Sequence, residues 1–189
     1  MNNIIEKEDW NKLQSAITNL INIQNEMFGW YNDEELSRTP ERITEFYKEW
    51  SNSNHFKFTL FPVIDRDQMI RFDNITFFSM CAHHLLPFFG KVSIAYLPEQ
   101  YIGGASKFSR LVKKYSSKPT SQEELTAEIA DNINNILKPR FVFVRVEARH
   151  LCQEMRGIRS VGEYMRTSSL RYIPEMEKNL VHLKEEATK

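Results

Sequence analysis

The spacing of apolar residues changes character along this chain, and that change limits the possible folds more than any other feature. Up to about residue 50 the repeat is helical: Trp10, Leu13, Ile17, Leu20 and Ile21 recur with polar residues between them. Ile43, Phe46, Tyr47 and Trp50 repeat the pattern in a second helix. That helix is predicted to begin near Arg38, with Thr39 as N-cap and Pro40 in its first position. The cluster from Ser51 to Asn54 then breaks the repeat. Strand character follows. His55 to Val63 and Met69 to Ser79 are rich in Phe, Ile and Thr, with a turn candidate at Asp65-Arg66-Asp67, and Lys91 to Leu97 is a further strand candidate.

Helical spacing then returns. Tyr101 to Lys107 reads as a Gly-marked loop leading into a helix with Phe108, Leu111, Val112 and Tyr115 on its apolar side. Thr120, Ser121 and the glutamates after them open another, lined by Leu125, Ile129, Ile133, Ile136 and Leu137 and closed by Lys138-Pro139. Phe141 to Ala148 and residues 164–173 read as strands, and 174–189 as a polar C-terminal helix. Helices, strands, helices and strands in blocks predict an α+β fold with a mainly antiparallel sheet covered on one face. The expected organisation is an N-terminal helical extension over residues 1–50 and a second domain over 51–189, working as one unit.

Composition narrows the function classes. Twenty-five Lys and Arg balance twenty-five Asp and Glu, which argues against nucleic acid bound through a broad basic field. A local basic pocket for a small phosphorylated ligand remains open. No apolar run approaches the roughly 20 residues of a membrane span. The N-terminus has early acids and no apolar core of a signal peptide, so a cytoplasmic protein is expected.

The chemistry-bearing residues fall into four groups. Cys81-Ala82-His83-His84 sets a thiol and an imidazole three positions apart, a spacing that can grip one soft cation from a single turn. His150-Leu151-Cys152 directly follows a predicted strand. Together these hold both cysteines, and Cys81, His84 and Cys152 would leave one position of a tetrahedral zinc open, as in catalytic sites. The competing reading is two buried thiols with histidines nearby. Ser106, Lys107 and Arg110 at a helix start make a small anion site or a solvated basic face. Arg156 follows Cys152 by four residues, trailed by Gly157 and Arg159. Gln122-Glu123-Glu124 opens a helix, where a glutamate serves as a cap or reads a guanine edge.

Five ordered stretches carry a resemblance. They are Thr39-Pro40-Glu41-Arg42, Cys81-Ala82-His83-His84-Leu85-Leu86-Pro87-Phe88, Gly104-Ala105-Ser106-Lys107, Gln122-Glu123-Glu124-Leu125-Thr126, and His150-Leu151-Cys152-Gln153-Glu154-Met155-Arg156-Gly157. In order and spacing the chain resembles zinc-dependent GTP cyclohydrolase I from about residue 35 to 180. The resemblance implies a tunnelling fold whose sheets close into a barrel by oligomerisation. It also implies a homodecamer of two stacked pentamers with sites at subunit interfaces. It implies zinc on Cys81, His84 and Cys152, and His83 and His150 as catalytic groups. Glu123 would hold the guanine, with Gln122 beside it. Ser106, Lys107, Arg110 and Arg156 would surround the ribose and triphosphate, with Arg42 as a further triphosphate contact. The implied reaction is hydrolysis of GTP at guanine carbon 8, release of formate and rearrangement to 7,8-dihydroneopterin triphosphate. It would serve folate, pterin or 7-deazaguanine biosynthesis.

The chain departs from the family pattern at Ala82, where Glu is usual, at Glu124, where Arg is usual, and at Glu45, where a basic residue is common. Gln153 and Glu154 are more polar than their usual counterparts. Two other readings therefore stand beside the first. One is a divergent purine-nucleotide ring-opening hydrolase with another substrate or product. The other is a non-catalytic assembly subunit that binds nucleotide and zinc. A nitrile reductase of the same fold would need a nucleophilic cysteine and NADPH, and the histidine-rich constellation speaks against it.

Overall fold

The structure is a computed structural model, and it describes residues 6–52 and 56–188. The chain divides into two units, Met1–Ser53 and Asn54–Lys189. The first contains two helices. In α1 (Lys7–Phe28), Glu6 and Asp9 cap each other reciprocally, and the helix stops at Gly29, whose φ of 65° suits glycine. α2 (Asp33–Ser51) starts six residues before its predicted N-cap: Asn32 is the cap, and its side chain accepts from the Glu35 N–H. Thr39 and Pro40 therefore lie inside the helix rather than at its start. The Asn32–Glu35 capping box outcompetes the Thr-Pro signal, and Thr39 Oγ1 donates instead to the Glu35 carbonyl at 2.7 Å. The predicted break ends partly outside the described residues, as does the start of the His55–Val63 strand.

In the second unit, β1 (Leu60–Pro62) pairs only with β4 (Tyr101–Gly103), so the predicted glycine loop begins as a short strand. The main sheet runs β5-β2-β3-β6-β7. It contains β2 (Ile70–Cys81), β3 (Pro87–Leu97), β5 (Pro119–Thr120), β6 (Phe141–His150) and β7 (Met165–Tyr172). Every pairing is antiparallel except the two-residue β2–β5 contact. A bulge between Phe72 and Ile75 is accommodated by Asn74 at φ 61°, a conformation asparagine tolerates better than most residues.

Alternation along the strands separates two apolar layers. Val142, Val144, Val146 and Ala148 of β6 face the main core with Phe108, Leu111 and Val112 of α3 (Ala105–Ser116). Leu125, Ile129 and Ile133 of α4 (Gln122–Leu137) fill the same core. Phe108 stacks on Phe72 at 4.2 Å and on Tyr96 at 5.5 Å between ring centroids. The alternate residues Ala95, Leu97, Phe141 and Phe143 face the other way and are covered at one end by Leu183 and Ala187. Those two belong to α6 (Leu180–Thr188), which follows a 3-10 turn at Pro174–Asn179. The short α5 (Leu151–Glu154) sits directly after β6. Among the described residues, no helix is long and apolar enough to cross a membrane.

One glycine is demanded by the sheet. Gly90 lies opposite Ala148, and a Cβ there would overlap the Glu147 carbonyl oxygen and come within 2.7 Å of Ala148 Cα. Backbone atoms cannot swing aside as a side-chain tip can. Gly90→Ala should therefore lower stability by about 1–3 kcal/mol or more, read as a fall in melting temperature. An unchanged midpoint would show that the β3–β6 pairing has slack at this point.

Candidate metal centre and active site

The site forms where strand ends meet. β2 ends at Cys81, and a tight turn returns the chain to β3. The Cys81 carbonyl accepts from Leu85 N–H at 2.8 Å and His84 N–H at 3.3 Å, while Cys81 N–H donates to Leu86 O at 2.9 Å. The turn thus folds residue 84 back over residue 81 and places His84 Nδ1 3.7 Å from Cys81 Sγ. The chain leaves the turn through Leu85 at φ 51°, a costly conformation for a branched side chain. His83 Nδ1 is also 3.7 Å from Cys81 Sγ, but its ring is inclined 65° to that of His84.

The sheet register brings in the third donor. β3 and β6 pair with Phe88 opposite His150, so β6 ends beside the turn and Cys152 follows in the first turn of α5. The donor atoms of Cys81, His84 and Cys152 lie within 4.8 Å of one another, the one such group among the described residues. His83 does not complete it. Burial, and then the neighbouring Cys81, push the Cys152 thiol above its ordinary pKa, while Arg156 pulls the other way. Without a cation, that shift keeps the Cys152 thiol protonated. A shared cation reverses the balance by favouring thiolate.

A cavity of about 360 Å³ opens beside these donors. His83, Gln122, Glu123, His150 and Arg156 line it with them. His150 stacks on Phe88, with centroids 4.7 Å apart and planes 7° from parallel. Burial lowers its pKa, and the charge of Glu123 opposes that shift. His150 Nε2 lies 2.8 Å from Gln122 Oε1. Gln122, the first residue of α4, is 1% exposed, and its amide nitrogen points at Val146 O, Met165 O and Thr167 Oγ1 at 3.1–3.2 Å. Glu123 is exposed toward the cavity.

Ser106, Lys107 and Arg110 sit on the first turns of α3 and do not line this cavity. Arg42 is exposed on α2 in the N-terminal unit. Phe88 lay within the Cys81–Phe88 motif without a role assigned to it, and sequence reasoning missed Thr167, which reaches the site through strand pairing and leaves no local signal.

The departures from the family pattern have local partners. Ala82 is exposed on the turn, and its N–H donates to Thr120 O at 3.2 Å. Glu124 accepts from Thr120 Oγ1 at 2.9 Å, beside the Ser121 cap of α4. Glu45 pairs with Lys48 at 2.6 Å along α2. Glu154 accepts a two-pronged contact from Arg149: Nε to Oε1 at 2.8 Å and the terminal nitrogen to Oε2 at 2.5 Å. That fork ties the end of α5, and with it Cys152, to the last turn of β6.

The sequence profile of GTP cyclohydrolase I matches residues 14–186. A GTP cyclohydrolase 1 of a Hydrogenobaculum species is 48% identical over 73% of this chain and 76% of its own. That of Aquifex aeolicus is 45% identical over the same shares. That of Streptococcus pneumoniae is 36% identical over 91% of this chain and 94% of its own.

The Arg149–Glu154 fork generates a prediction. Its hydrogen bonds from Arg149 hold the Glu154 carboxyl below the usual carboxylate range. A carboxylate depressed in the folded state adds stability above its unfolded pKa, and that contribution is lost as pH falls through the folded value. Glu154→Gln should lower the melting temperature at neutral pH and speed loss of bound metal to a chelator. The gap between the two proteins should close below about pH 4. A gap that stays constant down to about pH 3 would assign the effect to packing instead.

Proposed function

The chain belongs to the GTP cyclohydrolase I family, and we propose that it acts through zinc held by Cys81, His84 and Cys152. It is a hydrolase acting on GTP, with the family's place in pterin and folate biosynthesis. The observation that carries the zinc reading is the donor trio lining a cavity of about 360 Å³. The donor set fits the ion. Tetrahedral zinc, with sulfur at about 2.3 Å and nitrogen at about 2.0–2.1 Å, spaces those two ligands ~3.6 Å apart. Cys81 Sγ and His84 Nδ1 are 3.7 Å apart. Zinc held by these three residues would supply Lewis acidity that brings the pKa of water toward neutrality.

The chain's own residues then divide the work. Glu123 accepts from guanine N1–H and the exocyclic amine together, and would face the lone pair of N1 in adenine. His150 delivers a proton to guanine N7, which makes carbon 8 a better electrophile. Water adds at carbon 8, the imidazole ring opens, and a second hydrolysis releases that carbon as formate. His83 moves a proton at the ribose ring oxygen. Rearrangement and ring closure give 7,8-dihydroneopterin triphosphate, with a net uptake of one water. Arg156 meets the phosphates from within the cavity.

In the proposed assembly, Ser106, Lys107 and Arg110 would meet the triphosphate from a neighbouring copy of the chain. That assembly is the homodecamer of two pentamers with composite sites that the family resemblance implies. Arg42 would contribute in the same way. The cytoplasm, where GTP is abundant, is the compartment this reading assigns.

Incubation with GTP, followed by formate release and pterin fluorescence, tests the reaction. Both signals are expected; formate without fluorescence would mean a ring-opening enzyme that stops early, and neither signal would sink the reaction. Cys152→Ser and His84→Ala should lose metal and formate release together. His150→Ala and His83→Ala should keep near-stoichiometric zinc while pterin formation drops by about 10²–10⁴-fold. If His83→Ala loses metal and His84→Ala keeps it, the two roles must be exchanged.

Glu123→Ala should raise KM for GTP or depress kcat/KM by at least about tenfold with little change in melting temperature, since leaving a base edge unpaired costs about 1–3 kcal/mol. Unchanged GTP kinetics would return Glu123 to the macrodipole of α4.

A further inference from the structure

We infer that Gln122 is a positioning residue for His150: it fixes the imidazole as the Nε2–H tautomer and leaves Nδ1 as the nitrogen that exchanges a proton with substrate. The inference rests on the reading of His150 as the proton-transfer group, and it replaces a direct substrate contact for Gln122.

The argument is a count of protons. Thr126 Oγ1 lies 2.7 Å from the Gln122 carbonyl, which only accepts, so the single hydroxyl proton of Thr126 goes there. Thr126 and Thr167 hydroxyls are 2.6 Å apart. With the Thr126 proton committed, Thr167 must donate to Thr126. Thr167 then has only lone pairs to offer the Gln122 amide at 3.1 Å. Val146 O and Met165 O, at 3.2 and 3.1 Å, are acceptors as well. Three acceptors on one side of a carboxamide settle its orientation: the NH₂ faces them and the oxygen faces His150. An amide oxygen cannot donate, so at 2.8 Å the proton between Gln122 Oε1 and His150 Nε2 belongs to the ring.

Each part is held against rearrangement. Gln122 is 1% exposed, so reversing its amide would bury its oxygen against two carbonyl oxygens at 3.1–3.2 Å, with no donor there to satisfy it. Phe88 stacks on the imidazole at 4.7 Å and blocks rotation out of plane. Among the described residues, His150 Nδ1 has no hydrogen-bond partner, and the ring lines the cavity. The histidine therefore presents one defined nitrogen to the substrate.

Solid-state 15N NMR of zinc-loaded protein labelled at histidine tests this without any variant of Gln122. The signal missing from His150→Ala identifies the ring. With the imidazole neutral, a protonated Nε2 and a bare Nδ1 are expected; a protonated Nδ1 overturns the inference. This measurement needs no turnover, so it is independent of whether the protein forms formate from GTP. Kinetics give the second arm. Gln122→Met fills the space without the hydrogen bonds. It should lower kcat by about 10–100-fold, with KM for GTP and zinc content nearly unchanged. In a His150→Ala background the same substitution should cause no further loss. A rise in KM at constant kcat would make Gln122 a substrate contact, and a full additional loss without His150 would make its role purely structural.

Discussion

The antiparallel pairing of β3 with β6 is the constraint on which the site depends. It sets Phe88 against His150, and that one register pair has three effects. It stacks a ring on the imidazole, brings the end of β6 to the turn that holds Cys81 and His84, and so lets Cys152 reach them. A slip of one residue would turn His150 to the opposite face of the sheet, away from α4. Gly90 sits in the same ladder, where the strands approach too closely for a side chain. The pairing is therefore fixed by a backbone contact as well as by hydrogen bonds.

Polar groups near the site are arranged so that few choices remain open. The Gln122 amide, two threonine hydroxyls and the Gln122 carbonyl form a closed circuit in which each donor has an acceptor. Such a circuit gives direction to a proton without placing a formal charge in the core. The Arg149–Glu154 fork works differently, through opposite charges at the rim. One arrangement fixes a ring, the other the short helix that carries Cys152.

Much of this was legible in the residues. The α+β order, the ends of α4 and the strand over Phe141 to Ala148 follow from periodicity and capping alone. The two cysteines and the paired histidines read either as one metal site or as buried thiols with histidines nearby, and the fold brings Cys81, His84 and Cys152 together. The start of α2 was not read correctly, since Asn32 and Glu35 form a stronger cap than Thr39, and the helix tolerates Pro40. Of the predicted first strand, Leu60–Pro62 forms the ladder with β4 and backbone bonds extend it to Thr59 and Val63, outside the main sheet. Gln122 looked like a helix opener. Its bond to His150 spans 28 positions, and no local pattern encodes a contact made through sheet register. Thr167 was invisible for the same reason.

Gln122 and Glu123 are consecutive residues in the first turn of α4, and so they point about 100° apart around its axis. One looks inward to His150 and the sheet; the other looks into the cavity. The two directions are coupled rigidly, because the helix cannot turn one without the other. Inserting or deleting a single residue between Ser121 and Leu125 would rotate both, so this stretch should tolerate exchanges of residue type far better than changes of length. Variation in a lineage of such chains would accumulate as substitutions here and as indels in the turns on the far side of the sheet.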